Sequence, residues 1–230
     1  MSTHIGHLID QVPKDGSSFN IQDLFFLLTL DSATQFLFGE SVGSLLPASA
    51  SHPSILETYA IGGPQGFAHH FNLAQEYLMK RSAYGPVYWL ADGKDFRDST
   101  RKVHEVVDYY VQKGIQQYNE KRENQMKIIN EKGATDSERY VFLQALAADT
   151  QNPKVLRDNL LNILLAGRDT TASLLSSVFY YLARNKNVWN RLRKEILDAF
   201  GDEKNPKEKI THAGLKNIPY LRYVLNESKY

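Results

Sequence analysis

The sequence predicts a mainly α-helical fold that contains one very long central helix. Apolar residues recur at steps of three and four, and runs that alternate with a period of two are nearly absent. Glycine, proline and serine cluster between these periodic segments, where they end helices and form loops. No proline interrupts the pattern between Pro153 and Pro206, so a single helix in that region can be long.

The first half of the chain predicts three helices in order. Ile21 to Phe38 is apolar on most sides, which predicts a buried helix that ends at Gly39. Residues 39–54 are rich in Gly, Pro and Ser and are expected to form an exposed loop. A second helix is predicted from residue 66 to about residue 82. A third, amphipathic helix is predicted over residues 94–132.

The long helix is predicted over residues 153–184. Asn152 can cap its first turn, and Pro153 has the backbone angle that the first helical position needs. At 1.5 Å per residue this helix would be about 48 Å long. One face carries small and polar residues, namely Asn162, Ala166, Thr170, Ser173 and Ser177. Such a face leaves room for another backbone or for a flat ligand.

The last part of the chain predicts a short amphipathic helix over residues 188–200, ended by Gly201. Residues 202–209 are charged and are expected to form a solvated loop.

Composition excludes several functional classes. With 42% hydrophobic and 11% aromatic residues, the 230-residue chain can bury a sizeable core. Its 27 Lys and Arg against 26 Asp and Glu leave a formal charge of +1, too little to bind nucleic acid through a general field. The chain contains no cysteine, which excludes disulfides, thiolate nucleophiles and thiolate-bound metals within it. No apolar run approaches the roughly 20 residues of a membrane span.

An apolar aromatic stretch, residues 84–90, lies between two predicted helices and has two interpretations. It either packs in the core or contacts a membrane surface, where Trp and Tyr are favoured by an apolar body and a polar tip. The residues that would make the membrane contact are Tyr84, Val87, Trp89 and Leu90.

Residues 39–43, Gly-Glu-Ser-Val-Gly, match the elbow that presents the nucleophile of serine hydrolases. That elbow needs a strand before it and a helix after it, and no such strand is evident. Turn residues are therefore the preferred interpretation, and a serine hydrolase that uses Ser41 remains an alternative function.

The histidines do not predict a metal site. His104 is followed four residues later by Asp108, where a two-histidine zinc helix needs a second imidazole, so a charged helix face is expected. Four more histidines are expected at the surface, namely His4, His7, His69 and His70.

The hexapeptide AGRDTT, residues 166–171, breaks local rules midway along the long helix. Its glycine costs about 1 kcal/mol relative to alanine, and consecutive threonines can loosen the helix by bonding to the preceding turn. Such violations concentrate at functional sites. An adjacent acid and alcohol, here Asp169 and Thr170, can carry a proton from solvent to a buried acceptor.

At this point the chain resembles the haem-thiolate monooxygenases, the cytochrome P-450 superfamily. AGRDTT resembles the oxygen-activating motif of that family's long central helix, and residues 215–227, LKNIPYLRYVLNE, resemble the approach to its later helix with a Glu-x-x-Arg pair. Both motifs lie in the family's order and spacing, and the match covers nearly the whole chain. Residues 25–45, FFLLTLDSATQFLFGESVGSL, are similar to fungal members that hydroxylate alkanes and fatty acids.

The resemblance implies a haem over the small-residue face of the long helix. Ala166, Gly167 and Thr170 are the implied cofactor-binding residues, since the first two leave room for porphyrin and dioxygen. Asp169 and Thr170 are the implied catalytic residues: Thr170 hydrogen-bonds the oxygen at the iron, and Asp169 relays protons to it. The implied axial ligand is a cysteine thiolate, so this chain supplies no metal ligand.

The resemblance also implies a substrate and partners. Asn162, Ala166 and Ser173 are the implied substrate-facing residues. The implied reaction inserts one oxygen atom from O2 into an apolar substrate, an alkane or a fatty acid, with electrons from an NADPH-dependent reductase. The complete protein is expected at the endoplasmic reticulum membrane.

The chain departs from the family pattern in ways that predict an incomplete domain. Tyr230 stands three residues after Glu227, where the pattern has Arg, and the cysteine region is expected beyond the last residue. Met1 is expected to begin within the fold, so residues 1–230 would form a single partial domain that does not catalyse alone. The remaining alternative is a noncatalytic helical interaction protein from a degenerate monooxygenase gene.

Overall fold

The fold is known from a computed structural model that describes residues 2–47, 63–128, 141–202 and 205–228. The described helices are α1 (Ser2–Gln11), α2 (Ile21–Phe38), α3 (Gly63–Tyr84), α4 (Lys94–Ile128), α5 (Phe142–Asp149), α6 (Pro153–Arg184), α7 (Lys186–Phe200), α8 (His212–Lys216) and α9 (Pro219–Glu227). A 3₁₀ helix, Gly85–Ala91, joins α3 to α4.

The predicted mainly α fold is confirmed, since the described residues contain no β-strand beyond an isolated bridge between Gly201 and Pro206. The predicted helices over 21–38 and 153–184 have the bounds of α2 and α6. The predicted helix at 66–82 is longer at both ends in α3, and the helix at 188–200 starts two residues earlier in α7. Parts of the predicted loop at 39–54, helix at 94–132 and loop at 202–209 lie outside the described residues.

Local signals explain the helix ends. The Asn152 side chain accepts hydrogen bonds from the backbone N–H groups of Lys154 and Val155, at 3.1 and 3.3 Å, and so caps α6 as predicted. Helix α2 ends at Gly39, whose φ of 82° is left-handed and favours glycine. Four short α-helices were not predicted as separate helices, namely α1, α5, α8 and α9. Each helix is too short to show a clear repeat of apolar residues at steps of three and four.

The chain divides into two compact units, Met1–Asp169 and Thr170–Tyr230. Helix α6 begins in the first unit and continues into the second. The first unit has a core formed by α2, α3, α4, α5 and the first half of α6, in which Leu30, Phe67, Val107, Leu143 and Leu160 are fully buried. The second unit has a smaller core that joins Val178, Leu182, Leu192 and Val224.

The segment after α2 folds back onto that helix through a buried carboxylate. Asp31 Oδ1 accepts hydrogen bonds from the backbone N–H and the hydroxyl of Ser44, at 2.6 and 2.8 Å. Its Oδ2 accepts from the backbone N–H of Leu45 at 3.0 Å. Thr34 Oγ1 accepts from the N–H of Val42 at 3.2 Å. These bonds satisfy backbone donors that the loop would otherwise bury without partners.

The aromatic stretch between α3 and α4 does not pack in the core, so that interpretation was wrong. The side chains of Tyr84, Val87, Trp89 and Leu90 are all exposed, with Trp89 at 56% and Leu90 at 68%. Arg81 anchors the segment, because its guanidinium pairs with Asp92 and lies 4.5 Å from the ring centroid of Tyr88. No helix in the described ranges is long and apolar enough to cross a bilayer.

Replacing Asp31 with Asn tests the buried carboxylate. The substitution keeps the shape of the side chain but removes the charge and can place an amide N–H against the N–H of Leu45. We expect Asp31→Asn to lower the free energy of unfolding by about 2–4 kcal/mol, measured by urea denaturation. The matched control is Asp10→Asn, at an exposed position of α1, with an expected change below about 0.5 kcal/mol. Equal stabilities for the two variants would contradict this role of Asp31.

Candidate functional site

The middle of helix α6 presents a small, exposed surface. Ala166, Gly167 and Thr170 are exposed, as are Asn162 and Ser173 on neighbouring turns. A Cβ added at Gly167 would meet no atom within 4 Å, so open space lies beside the backbone there. The predicted cofactor-binding residues therefore offer a low surface that fits one face of a planar macrocycle.

Arg168 points the opposite way, into the core of the first unit. Its side chain is 1% exposed and is the largest fully buried side chain among the described residues. The guanidinium lies 5.0 Å from the ring centroid of Phe26 in α2 and 5.4 Å from that of Phe71 in α3. These cation–π contacts join three helices around one charge.

Sequence reasoning missed Arg168, although the sequence carried a signal for its burial. Leu160, Leu164 and Arg168 are spaced by four residues and share one face of α6. Both leucines are fully buried, so the same face carries the arginine into the core.

Asp169 is the ion-pair partner of Arg168. Arg168 Nη1 donates to Asp169 Oδ1 at 3.2 Å, and the side chain of Asp169 remains 39% exposed. Burial lowers the pKa of the Arg168 guanidinium from its usual value, and the neighbouring carboxylate opposes that shift. The Nε of Arg168 has no hydrogen-bond partner among the described residues. The pair thus joins a buried cation to a carboxylate that water can reach.

A cavity of about 190 Å³ lies in the first unit between α3, α4 and α6. Its walls are mostly apolar, with Phe71 and Leu78 from α3, Phe96 and Val103 from α4, and Leu161 and Leu165 from α6. Asn162 and His104 add polar groups. Of the predicted substrate-facing residues, Asn162 lines this cavity, whereas Ala166 and Ser173 lie elsewhere on the exposed surface of α6.

Two histidines of the first unit are held in environments that favour the neutral imidazole. Burial lowers the pKa of His104, and the positive charge of Arg157 adds to that effect while Asp108 and Asp158 oppose it. Arg157 itself pairs with Asp108 at 3.0 Å. The described residues contain no group of three possible ligands that could hold a metal ion.

His70 has contacts at both ring nitrogens. Its Nδ1 lies 3.0 Å from Ser99 Oγ, and its Nε2 lies 3.2 Å from Lys102 Nζ. Burial lowers the pKa of His70, with Lys102 and His69 acting in the same direction and Asp98 against it. An ammonium group can only donate a hydrogen bond, so Nε2 accepts and the ring is neutral.

The prediction of surface histidines was wrong for His4, which is 5% exposed. One of its ring nitrogens, Nε2, lies 2.8 Å from Gln35 Oε1, so a contact with helix α2 accounts for its burial.

Ser41 lacks the setting of a hydrolase nucleophile. A helix, α2, precedes it where the elbow needs a strand, and its Oγ accepts a hydrogen bond from the N–H of Gly43 at 3.0 Å. Residues 39–43 form an irregular segment with Gly39 and Gly43 at positive φ, which agrees with the non-catalytic interpretation.

Comparison with known proteins identifies the family. The family model for Cytochrome P450 matches residues 4–228. The chain belongs to the cytochrome P450 family. Among its relatives, cytochrome P450 52A12 of Debaryomyces hansenii is 46% identical over 229 residues, which are 99% of this chain and 42% of that protein. Cytochrome P450 52A9 of Candida maltosa is 46% identical over 217 residues, 94% of this chain and 39% of that protein.

A solved structure shows the same fold. The crystal structure of the cytochrome P450DA haem domain superposes with a TM-score of 0.64 at 16% identity, covering 99% of this chain and 43% of that chain. The predicted family, its mainly α fold and the haem cofactor of that family are confirmed by these comparisons. The chain spans about two fifths of the length of the P450 relatives that it matches.

The two neutral histidines predict how stability depends on pH. Their pKa values in the folded chain lie below the ordinary value of 6.5, so the unfolded chain takes up protons first as pH falls. We expect the urea midpoint to be constant above about pH 7.5 and to fall as pH decreases through 6.5. It should become constant again below the folded-state pKa values.

The variant His70→Gln/His104→Gln should lose most of this fall between pH 7.5 and 5.5, whereas His212→Gln, at an exposed position of α8, should retain it. A fall of unchanged size in the double variant would show that other groups cause it.

Proposed function

We propose that the complete P450 is a haem-dependent monooxygenase in which Ala166, Gly167 and Thr170 lie against the haem. The observation that carries this proposal is the exposed, small-residue surface of α6, on which Thr170 directly follows a partly exposed carboxylate. Small residues alone would also admit another backbone, and it is the acid–alcohol pair beside them that favours a haem. Asp169 and Thr170 are the proposed catalytic residues.

Ala166, Gly167 and Thr170 are the residues of this chain that would hold the haem, because their side chains leave the backbone accessible to a flat group. Haem bound by a thiolate would supply the activation of O2 that inserts one oxygen atom into the substrate. The chain contains no cysteine and so supplies no thiolate. The 230 residues alone are therefore proposed to be a partial domain without activity.

Proton delivery is the proposed task of the acid and the alcohol. Asp169 can exchange protons with water because its side chain is 39% exposed. The carboxyl group passes a proton to the hydroxyl of Thr170, and Thr170 Oγ1 donates its own proton on the haem side. A positioned general acid of this kind commonly contributes about 10²-fold or more to rate.

The substrate is proposed to be an alkane or a fatty acid. The apolar walls of the 190 Å³ cavity suit a hydrocarbon chain, and Asn162 contributes a polar group to the same cavity. The similarity of residues 25–45 to fungal members that act on such substrates also supports this class. Ala166 and Ser173 are proposed to meet the substrate from the exposed surface of α6.

The proposed partners are O2, an NADPH-dependent reductase and a membrane surface, with the complete protein at the endoplasmic reticulum. The exposed 3₁₀ helix supports the membrane contact, since Val87, Trp89 and Leu90 present apolar area to solvent while Arg81 holds the segment in place. Aromatic residues with a polar tip favour the interface between lipid and water. The alternative of a noncatalytic helical protein predicts that even the complete protein binds no haem.

Substitution of Thr170 tests proton delivery in the complete, reductase-coupled protein. We expect Thr170→Ala and Thr170→Val to keep haem and substrate binding but to divert electrons into hydrogen peroxide and water. Thr170→Ser should retain coupling because it keeps the hydroxyl. The measurement is product formed per NADPH consumed, with an expected loss of about tenfold for Ala and Val. Equal coupling in the three variants would remove Thr170 from the mechanism.

Vesicle binding tests the membrane contact. With phosphatidylcholine vesicles we expect Leu90→Asp to reduce binding of the chain about tenfold, since a buried leucine side chain contributes roughly 1.5–3 kcal/mol. Ile210→Asp, at another exposed apolar position, is the control and should bind like the wild type. Sedimentation with the vesicles measures the bound fraction. Similar losses for both variants would indicate nonspecific adsorption.

A further inference from the structure

We propose that Arg168 is a positioning residue that holds the carboxylate of Asp169 in place for proton delivery. The inference rests on the proposed function, because it assigns a task to the pair only if Asp169 carries protons. Its physical basis is the ion pair of 3.2 Å between Arg168 Nη1 and Asp169 Oδ1.

The contact between these neighbours is not dictated by the helix. Consecutive residues of an α-helix point about 100° apart, so adjacent side chains do not normally face each other. Arg168 enters the core and its guanidinium reaches back to the partly exposed Asp169. Asp169 Oδ1 is thereby held by Arg168, while water still reaches the Asp169 side chain.

The guanidinium itself contacts two aromatic rings. Phe26 belongs to α2 and Phe71 to α3, and both rings lie within 5.4 Å of the guanidinium carbon. A planar cation in contact with two rings on separate helices has little freedom to move. The position of Nη1, and with it the position of Asp169 Oδ1, therefore depends on the packing of three helices.

Stability alone does not account for a charge at this position. Burial lowers the pKa of Arg168, which shows that the surroundings disfavour the charged form, and its Nε has no partner among the described residues. An apolar side chain of similar length could pack between the same two rings without this desolvation cost. The charge of Arg168 is needed for the ion pair with Asp169 and not for packing.

The test is a double-mutant cycle in the complete, reductase-coupled P450. Arg168→Met keeps length but removes the charge, and we expect it to lower product per NADPH about tenfold, as Asp169→Asn does. The variant that combines both should lose no more than Asp169→Asn alone, because Arg168 acts through that carboxylate. The control Arg157→Met removes another arginine of α6, which pairs with Asp108 of α4, and should leave coupling unchanged.

A second measurement does not depend on activity. In urea unfolding of the haem-free protein, Asp169→Asn should lower the midpoint because it leaves a buried cation without its partner. Adding Arg168→Met to that variant should raise the midpoint again. If Arg168 only packs against Phe26 and Phe71, Arg168→Met should instead lower the midpoint by the same amount in both backgrounds.

The outcomes separate the two proposals. Wild-type coupling in Arg168→Met, together with a loss in Asp169→Asn, overturns the role of Arg168 and leaves the proposed function standing. Independent losses that multiply in the double variant also overturn it.

If Arg168→Met does not fold, Arg168→Lys decides. Lysine keeps the charge but not the planar fork, and we expect about threefold lower coupling. Wild-type coupling in Arg168→Lys would overturn the inference. A wild-type protein that binds haem but forms no product overturns both proposals.

Discussion

The burial of one guanidinium sets the orientation of the long helix. Arg168 continues the inward face that Leu160 and Leu164 begin, and it contacts an aromatic ring of α2 and one of α3. Since a helix turns 100° per residue, placing Arg168 inward turns Gly167 and Thr170 outward. The face of α6 on which the proposed haem site depends is therefore exposed because the opposite face packs in the core.

Other polar side chains of the first unit also fix how its segments pack. Asp31 collects three hydrogen bonds from Ser44 and Leu45 and so holds the segment after α2 against that helix. Arg157 pairs with Asp108 and joins α6 to α4. Apolar contacts tolerate small shifts of one helix along another, whereas a hydrogen bond or ion pair specifies which atoms must meet.

In the connection between α3 and α4, an ion pair and cation–π contacts anchor a segment whose apolar side chains are exposed. Arg81 pairs with Asp92 and contacts the rings of Tyr88 and Phe96. These contacts hold the segment against the rest of the protein. Trp89 in the same segment is exposed. An exposed aromatic group on an anchored turn is a rigid contact surface, and this is why the membrane proposal rests on this segment.

The sequence by itself determined the helical class, the ends of α2 and α6, the P450 family and the small-residue face of α6. These depend on short-range signals: apolar period, Asn152 as a cap, Gly39 as a stop, and a contiguous motif. Only the tertiary structure decided that His4 is buried, that residues 84–90 are exposed, and which residues surround Arg168. Their environments come from partners far along the chain, such as Phe26 for Arg168 and Gln35 for His4. Local propensity carries no information about such partners, because burial of a polar group is favourable only where a distant residue satisfies it.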